Sequence, residues 1–317
     1  MTTWNLYDPE RPPEQTPLPA PPQWRRPGRQ RADALAQAFR PTPALLDAVN
    51  AALHLRRPLL ITGKPGTGKT SLIYSVARQL MLGDVLVWAI NSRSTLQESL
   101  YQYDALARLQ HIQQLQAGRA KSSASGDAGW GAQDIAMFLS LGPLGTALAA
   151  KTPRALLIDE IDKSDIDLPN DLLNVLDTGR YTIPELQRIA AKHPEVEIAT
   201  VDGDSVMVER GEINFSEYPF IVMTSNGERD FPAAFLRRCV QCEIREPDAE
   251  ELANIVGAHF GDISEEAGQL IEKFVSQRST VALATDQLLN AVHLQQGGRY
   301  LPADEERLLS TLFQNIG

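Results

Sequence analysis

Residues Gly63 to Thr70 read G-K-P-G-T-G-K-T, a complete phosphate-binding loop. Gly63, Gly66 and Gly68 let backbone N–H groups approach phosphate oxygens that a side chain would crowd out. Lys64, Pro65 and Thr67 complete the loop. Lys69 brings a point charge to the β/γ-phosphates, and the Thr70 hydroxyl can reach Mg²⁺. The apolar run Pro58 to Thr62 precedes the loop, and a helix-like stretch follows from Ser71, counted with the binding set, to Leu82. Strand, loop and helix in that order are the context that separates a nucleoside-triphosphate site from a chance match.

Three further places could complete such a site. Ala155-Leu156-Leu157-Ile158 is an apolar strand that ends in Asp159-Glu160. Two carboxylates at the end of a buried strand are costly without a cation or water. A Mg²⁺-nucleotide supplies the cation, with Asp159 as its partner through water and Glu160 placed to polarise the attacking water. Ile221-Val222-Met223 leads likewise into Thr224-Ser225-Asn226, where Asn226 can bond the γ-phosphate or that water. Taken alone, Ser-Asn-Gly is an ordinary turn, and its place after the acidic strand favours the functional reading. Arg237 and Arg238 close a predicted helix at Phe235-Leu236. Their spacing fits equally an arginine offered to a neighbouring subunit's γ-phosphate and a charge complementing the helix dipole.

The elements that must position these residues show in the patterning. Short apolar runs at Leu59–Thr62, Val85–Ile90, Ala155–Ile158, Phe220–Thr224 and Val240–Ile244 alternate with helical stretches. That reads as α/β, a parallel sheet with crossover helices. Leu45, Leu46, Val49, Ala52 and Leu53 fall at helical spacing before it. Glu195–Phe215 alternates around Val201-Asp202-Gly203-Asp204, a hairpin signal, and Gly118–Gly131 is a loop by composition. After Pro247, amphipathic patterns at Glu250–His259, Ser264–Gln277, Thr285–Gln296 and Asp304–Gln314 predict a small all-helical domain. Residues 1–40 carry Pro9, Pro12, Pro13, Pro17, Pro19, Pro21, Pro22 and Pro27, the composition of an extended arm. Trp4, Tyr7 and Trp24 are unusual in a solvated tail and suit an anchor.

Composition sets limits. The 317 residues carry a net charge of −10, against a surface generally built to coat nucleic acid. No apolar run is long enough to span a membrane, and the start lacks signal-peptide order, so a cytoplasmic protein is expected. Cys239 and Cys242 form a lone C-x-x-C within a strand-like alternation, which favours structural cysteines over a zinc or redox site.

Together these four places resemble the AAA+ ATPases, and among them the MoxR-type group, over roughly residues 42–296. Gly63–Thr70 is similar to Walker A, Leu156–Glu160 to Walker B, and Thr224-Ser225-Asn226 to sensor 1. Ala233–Arg238 resembles the arginine-finger segment, in which register favours Arg238, with Arg237 second. Leu141-Gly142-Pro143-Leu144 resembles the G-P-L segment of the MoxR-type group, and the Asp202-Gly203 hairpin the insertion before sensor 1. The Pro-rich start and Ile161-Asp162-Lys163 resemble a bacterial subgroup that works beside von Willebrand factor A-type partners.

The resemblance implies an α/β P-loop NTPase fold: a three-layer parallel-sheet core over residues 41–246, its hairpin insertion at about 195–215, and a small all-helical lid over 247–317. It implies ATP and Mg²⁺ as ligands and ATP hydrolysis that drives remodelling or chaperone-like activation of a protein partner. Assembly would be a homo-oligomeric ring, expected to be of six. Alternatives are a nucleic-acid-stimulated motor or loader and a nucleotide-gated scaffold. One departure stands out. Where the family's lid supplies a sensor 2 arginine, Leu283-Ala284-Thr285 has none, and the nearest candidate is Arg278 upstream.

Overall fold

The five apolar runs become the five strands of one sheet. The structure, a computed structural model, describes Leu6 and residues 18–119, 135–278, 280–296 and 305–314. Trp4, Tyr7, Pro9, Pro12, Pro13 and Pro17 lie outside the described residues, as do residues 120–131 of the Gly118–Gly131 loop. In chain order the first elements are α1 (Arg29–Ala38), α2 (Pro43–Leu55), β1 (Leu59–Thr62), α3 (Lys69–Gln79), β2 (Leu86–Ala89), α4 (Leu96–Leu100), β3 (Tyr101–Tyr103) and α5 (Ala105–Arg119). Next come β4 (Leu139–Leu141), α6 (Pro143–Ala149), β5 (Ala155–Asp159), α7 (Leu168–Thr178), β6 (Arg180–Thr182), α8 (Pro184–Gln187), β7 (Glu195–Ala199), β8 (Ser205–Glu209) and β9 (Glu212–Asn214). The last are β10 (Phe220–Ser225), α9 (Ala233–Leu236), β11 (Val240–Glu243), α10 (Ala249–Phe260), α11 (Glu265–Arg278), α12 (Thr285–Gln296) and α13 (Glu305–Leu312). The chain divides into two units: Leu46–Ile61 with Leu80–Cys242, and residues up to Leu45 with Thr62–Gln79 and Glu243 onward.

The first unit holds the sheet, in the order β11-β1-β10-β5-β2. β10 and β2 flank β5 in parallel, with Leu157 opposite both Val222 and Val87. All six positions of β10 and the first four of β5 are buried. Continuous apolar strands of this kind are what a parallel sheet covered on both faces demands. Leu156, Ile158, Ile221 and Met223 share one core with Leu144 and Leu148 of α6 and Leu172 and Leu176 of α7. Each such leucine contributes about 1.5–3 kcal/mol by leaving water.

A second sheet in this unit runs β3-β4-β7-β8-β9-β6. β7 alternates, with Val196 and Ile198 buried and Glu195, Glu197 and Ala199 exposed. It pairs antiparallel with β8 through the expected Asp202-Gly203 turn. A further turn at Arg210-Gly211, both at positive φ, returns the chain as β9. That is the twist a two-residue hairpin needs. In the G-P-L segment Gly142 serves close packing: a Cβ there would fall 2.4 Å from the Glu98 and Ser99 carbonyl oxygens.

The second unit gathers α1, α3 and the C-terminal helices. Leu252, Val256, Leu270, Phe274, Leu288, Val292, Leu309 and Phe313 form its core. α10 opens on a capping box between Asp248 and Glu251 and stops at Gly261. Trp24 anchors the N-terminal segment here, its ring 5.3 Å from His259, 5.6 Å from Phe260 and 5.8 Å from His293. The extended reading of residues 1–40 does not describe 29–38, which form α1 and pack against α3. This Ala-rich run lies past the last arm proline, and its residues are strong helix formers.

Candidate active site

The phosphate-binding loop leaves β1 at Gly63 and enters α3 at Lys69, as the strand–loop–helix pattern requires. Gly63, at φ +152°, could not carry a Cβ, which would fall 2.5 Å from the Ile244 carbonyl oxygen. Gly66, at φ +76°, is closed in by Ala284, whose Cβ would lie 2.4 Å away. The Lys69 ammonium is turned into the loop and donates to the Gly63 and Lys64 carbonyls at 2.6 and 2.8 Å. Thr67 Oγ1 also donates to the Lys64 carbonyl, and the Lys64 side chain pairs with Glu246 at 3.1 Å. The loop thus presents backbone N–H groups and one buried cation, the donor set a triphosphate takes. Thr70 and Ser71 sit in the first turn of α3.

At the carboxyl ends of β5 and β10, Asp159 and Glu160 meet Thr224. The Thr224 hydroxyl donates to Asp159 Oδ1 at 2.5 Å and accepts from the Glu160 N–H at 2.9 Å. Glu160 is held in the left-handed region, at φ 60° and ψ 47°. A non-glycine residue there costs about 1–3 kcal/mol, and such strain gathers where a side chain must be aimed. Its carboxylate pairs with Lys163 at 2.9 Å, which raises the Lys163 ammonium above its ordinary value through that hydrogen bond. Asn226 follows the last residue of β10, and its N–H donates to Asp162 Oδ2 at 2.9 Å. The sequence separates these partners by more than 60 positions. Spacing therefore could not reveal Thr224 as the bridge or Asp162 as a participant.

The two arginines differ. Arg238 Nε pairs with Asp177 Oδ2 at 3.1 Å. Arg237 is exposed, and its side chain makes no hydrogen bond or ion pair among the described residues. Arg278 donates to the Pro247 carbonyl at 2.6 Å and lies 5.7 Å from the Phe274 ring centre. The start of α12 is fastened by Gln287, which accepts from the Ala284 N–H and donates to the Leu312 and Gln314 carbonyls. Cys242 lies on β11 and Cys239 just before it, and no disulfide joins them. Burial pushes the Cys239 thiol up to about 12, which makes it a poor nucleophile and metal ligand.

A phosphate-binding loop between strand and helix of a parallel sheet, with an acidic pair ending β5 and with β10 between β1 and β5, defines a P-loop NTPase core. The chain matches the family model of the AAA domain (dynein-related subfamily) over residues 58–239. That is more than half of its 317 residues, and the chain belongs to this family. Membership implies ATP-driven activity and a nucleotide typically bound with Mg²⁺. The family usually forms oligomeric rings. No curated protein matches the chain. No helix among the described residues is long and apolar enough to cross a membrane.

Proposed function

We propose that the chain is a Mg²⁺-dependent ATPase that remodels or activates a protein partner from within a homo-oligomeric ring. The observation that carries this is the strained Glu160, aimed from the end of β5 and bridged by Thr224 to the strand that delivers Asn226. A carboxylate held at that cost suits a general base, once it turns from its ion pair with Lys163 to the water. Backbone N–H groups of Gly63, Lys64, Gly66, Thr67, Gly68, Lys69, Thr70 and Ser71 would bind the phosphates, Pro65, which has no N–H, would shape the loop, and Thr70 and Asp159 would hold Mg²⁺. The bound metal neutralises phosphate charge. Glu160 accepts the proton of the attacking water, and Asn226 orients that water.

An arginine from a neighbouring subunit completes the site. The exposed, unengaged Arg237 is ready for that role, whereas Arg238 must first leave Asp177. The G-P-L segment and the hairpin before β10 support a place in the MoxR-type group. The Pro-rich start supports a von Willebrand factor A-type partner.

Phosphate release and nucleotide binding test the reading. Glu160→Gln is expected to keep ATP affinity and lose turnover by at least about 100-fold, the scale of a general base. Lys69→Ala is expected to lose binding itself. Of Arg237→Ala and Arg238→Ala, the first is expected to lose assembly-dependent turnover. Undiminished hydrolysis by Glu160→Gln would remove the base from the mechanism, and the reverse result for the arginines would reassign the finger to Arg238.

A further inference from the structure

Asp162 lies two residues beyond Glu160, in the 3-10 helix Ile161–Lys163, and only 5% of it is exposed. Its Oδ2 accepts from two backbone N–H groups, Asn226 at 2.9 Å and Glu228 at 3.2 Å. Its Oδ1 is buried and has no hydrogen-bond partner among the described residues. A buried carboxyl with one oxygen unsatisfied costs stability that a packed apolar side chain would not. The two bonds are therefore what the residue contributes.

They act on one turn. Ser225 to Glu228 folds over its own Gly227 N–H···Oγ bond to Ser225, at 3.0 Å, with Gly227 at φ +77°. Beside Asp162, Arg229 ties the end of that turn to the segment after β5, its guanidinium donating to the Ser164 carbonyl at 2.8 Å. A further tie runs between the same two segments, through Thr224 to Asp159 and Glu160. Asp162 and Thr224 thus grip the β5 and β10 ends from both sides of Glu160.

We propose that Asp162 is a positioning residue for hydrolysis: it locks the Asn226 turn in register with Glu160, so that the group that takes the proton and the group that orients the water move as one body. This rests on the roles given above to Glu160 and Asn226. A misplacement of about 1 Å at a reacting centre can lower a rate by about 100-fold, so the latch acts on turnover rather than on nucleotide affinity. Because Asp162 works through Asn226, its effect vanishes once Asn226 is gone.

The test is a double-mutant cycle of Asp162→Ala and Asn226→Ala, read by steady-state ATP hydrolysis and by amide hydrogen exchange over residues 225–229 without nucleotide. Asp162→Ala is expected to lower kcat roughly 10- to 100-fold with KM nearly unchanged, and to add nothing in the Asn226→Ala background. Exchange over 225–229 is expected to quicken. Asp162→Asn, which keeps an acceptor, is expected to restore part of kcat and of the protection. If the alanine variant does not fold, the asparagine variant decides on the same readouts: faster exchange with a non-additive loss of kcat supports the latch. Wild-type exchange and kcat in the folded variant, or fully additive losses, overturn it. Absence of turnover in the wild-type chain would instead overturn the ATPase reading itself.

Discussion

At Gly66 two constraints coincide, a positive φ and the side chain of Ala284. Alanine there must shift the backbone and the start of α12 together. Gly66→Ala is expected to lower stability by about 1–3 kcal/mol and to weaken nucleotide binding, measured by thermal unfolding and by titration with a non-hydrolysable ATP analogue. The candidate site residues were legible at this scale, because Gly63–Thr70, Asp159, Glu160 and Asn226 are contiguous motifs at strand ends. What the residues between them do was not. Thr224 and Asp162 work across two strands, and the ion pair that separates Arg238 from Arg237 depends on Asp177, far from both in the chain.

Among the elements, buried strands and amphipathic helices declared themselves by period. β1, β2, β5, β10 and β11 fall within a residue or so of the apolar runs, and α10, α11 and α12 follow the helical spacing after Pro247. β3, β4 and β6 have three residues each, too few for alternation to rise above chance. β9 had a signal, Arg210-Gly211, hidden behind the stronger Asp202-Gly203. The tie between Trp24 and α10 has a pH dependence. Burial first, then the nearby Arg40 charge, hold the His259 imidazole below its ordinary value of 6.5. Its protonation therefore favours the unfolded chain. The stability it contributes is whole above pH 6.5 and is lost as pH falls through the folded value. Thermal unfolding is expected to come at lower temperature at pH 5.5 than at pH 7.5, and His259→Phe is expected to reduce that difference.

For the whole molecule, the N-terminal residues belong with the nucleotide-binding segment and not apart from it. α1 packs on α3, and Phe39 lies 3.8 Å from where a Cβ on Gly68 would be. Deleting residues 1–39 is expected to weaken ATP binding several-fold as well as lower thermal stability, measured by analogue titration and calorimetry. Unchanged affinity would make the segment a separate appendage. On the proposal that a neighbour's arginine completes each site, turnover per chain is expected to rise with protein concentration.

Lys64 in the phosphate loop pairs with Glu246, 182 positions further on, and Gly63 and Gly66 are walled by Ile244 and Ala284. A ribosome making this chain in order therefore releases the loop's sequence long before the residues that shape it. The sheet of Leu46–Ile61 and Leu80–Cys242 is itself complete only once β11 has been made to pair with β1, and Ala284 comes later still. Competence to hold nucleotide is then among the last properties a nascent chain acquires, so a truncated translation product is filtered from any nucleotide-dependent assembly by its own topology.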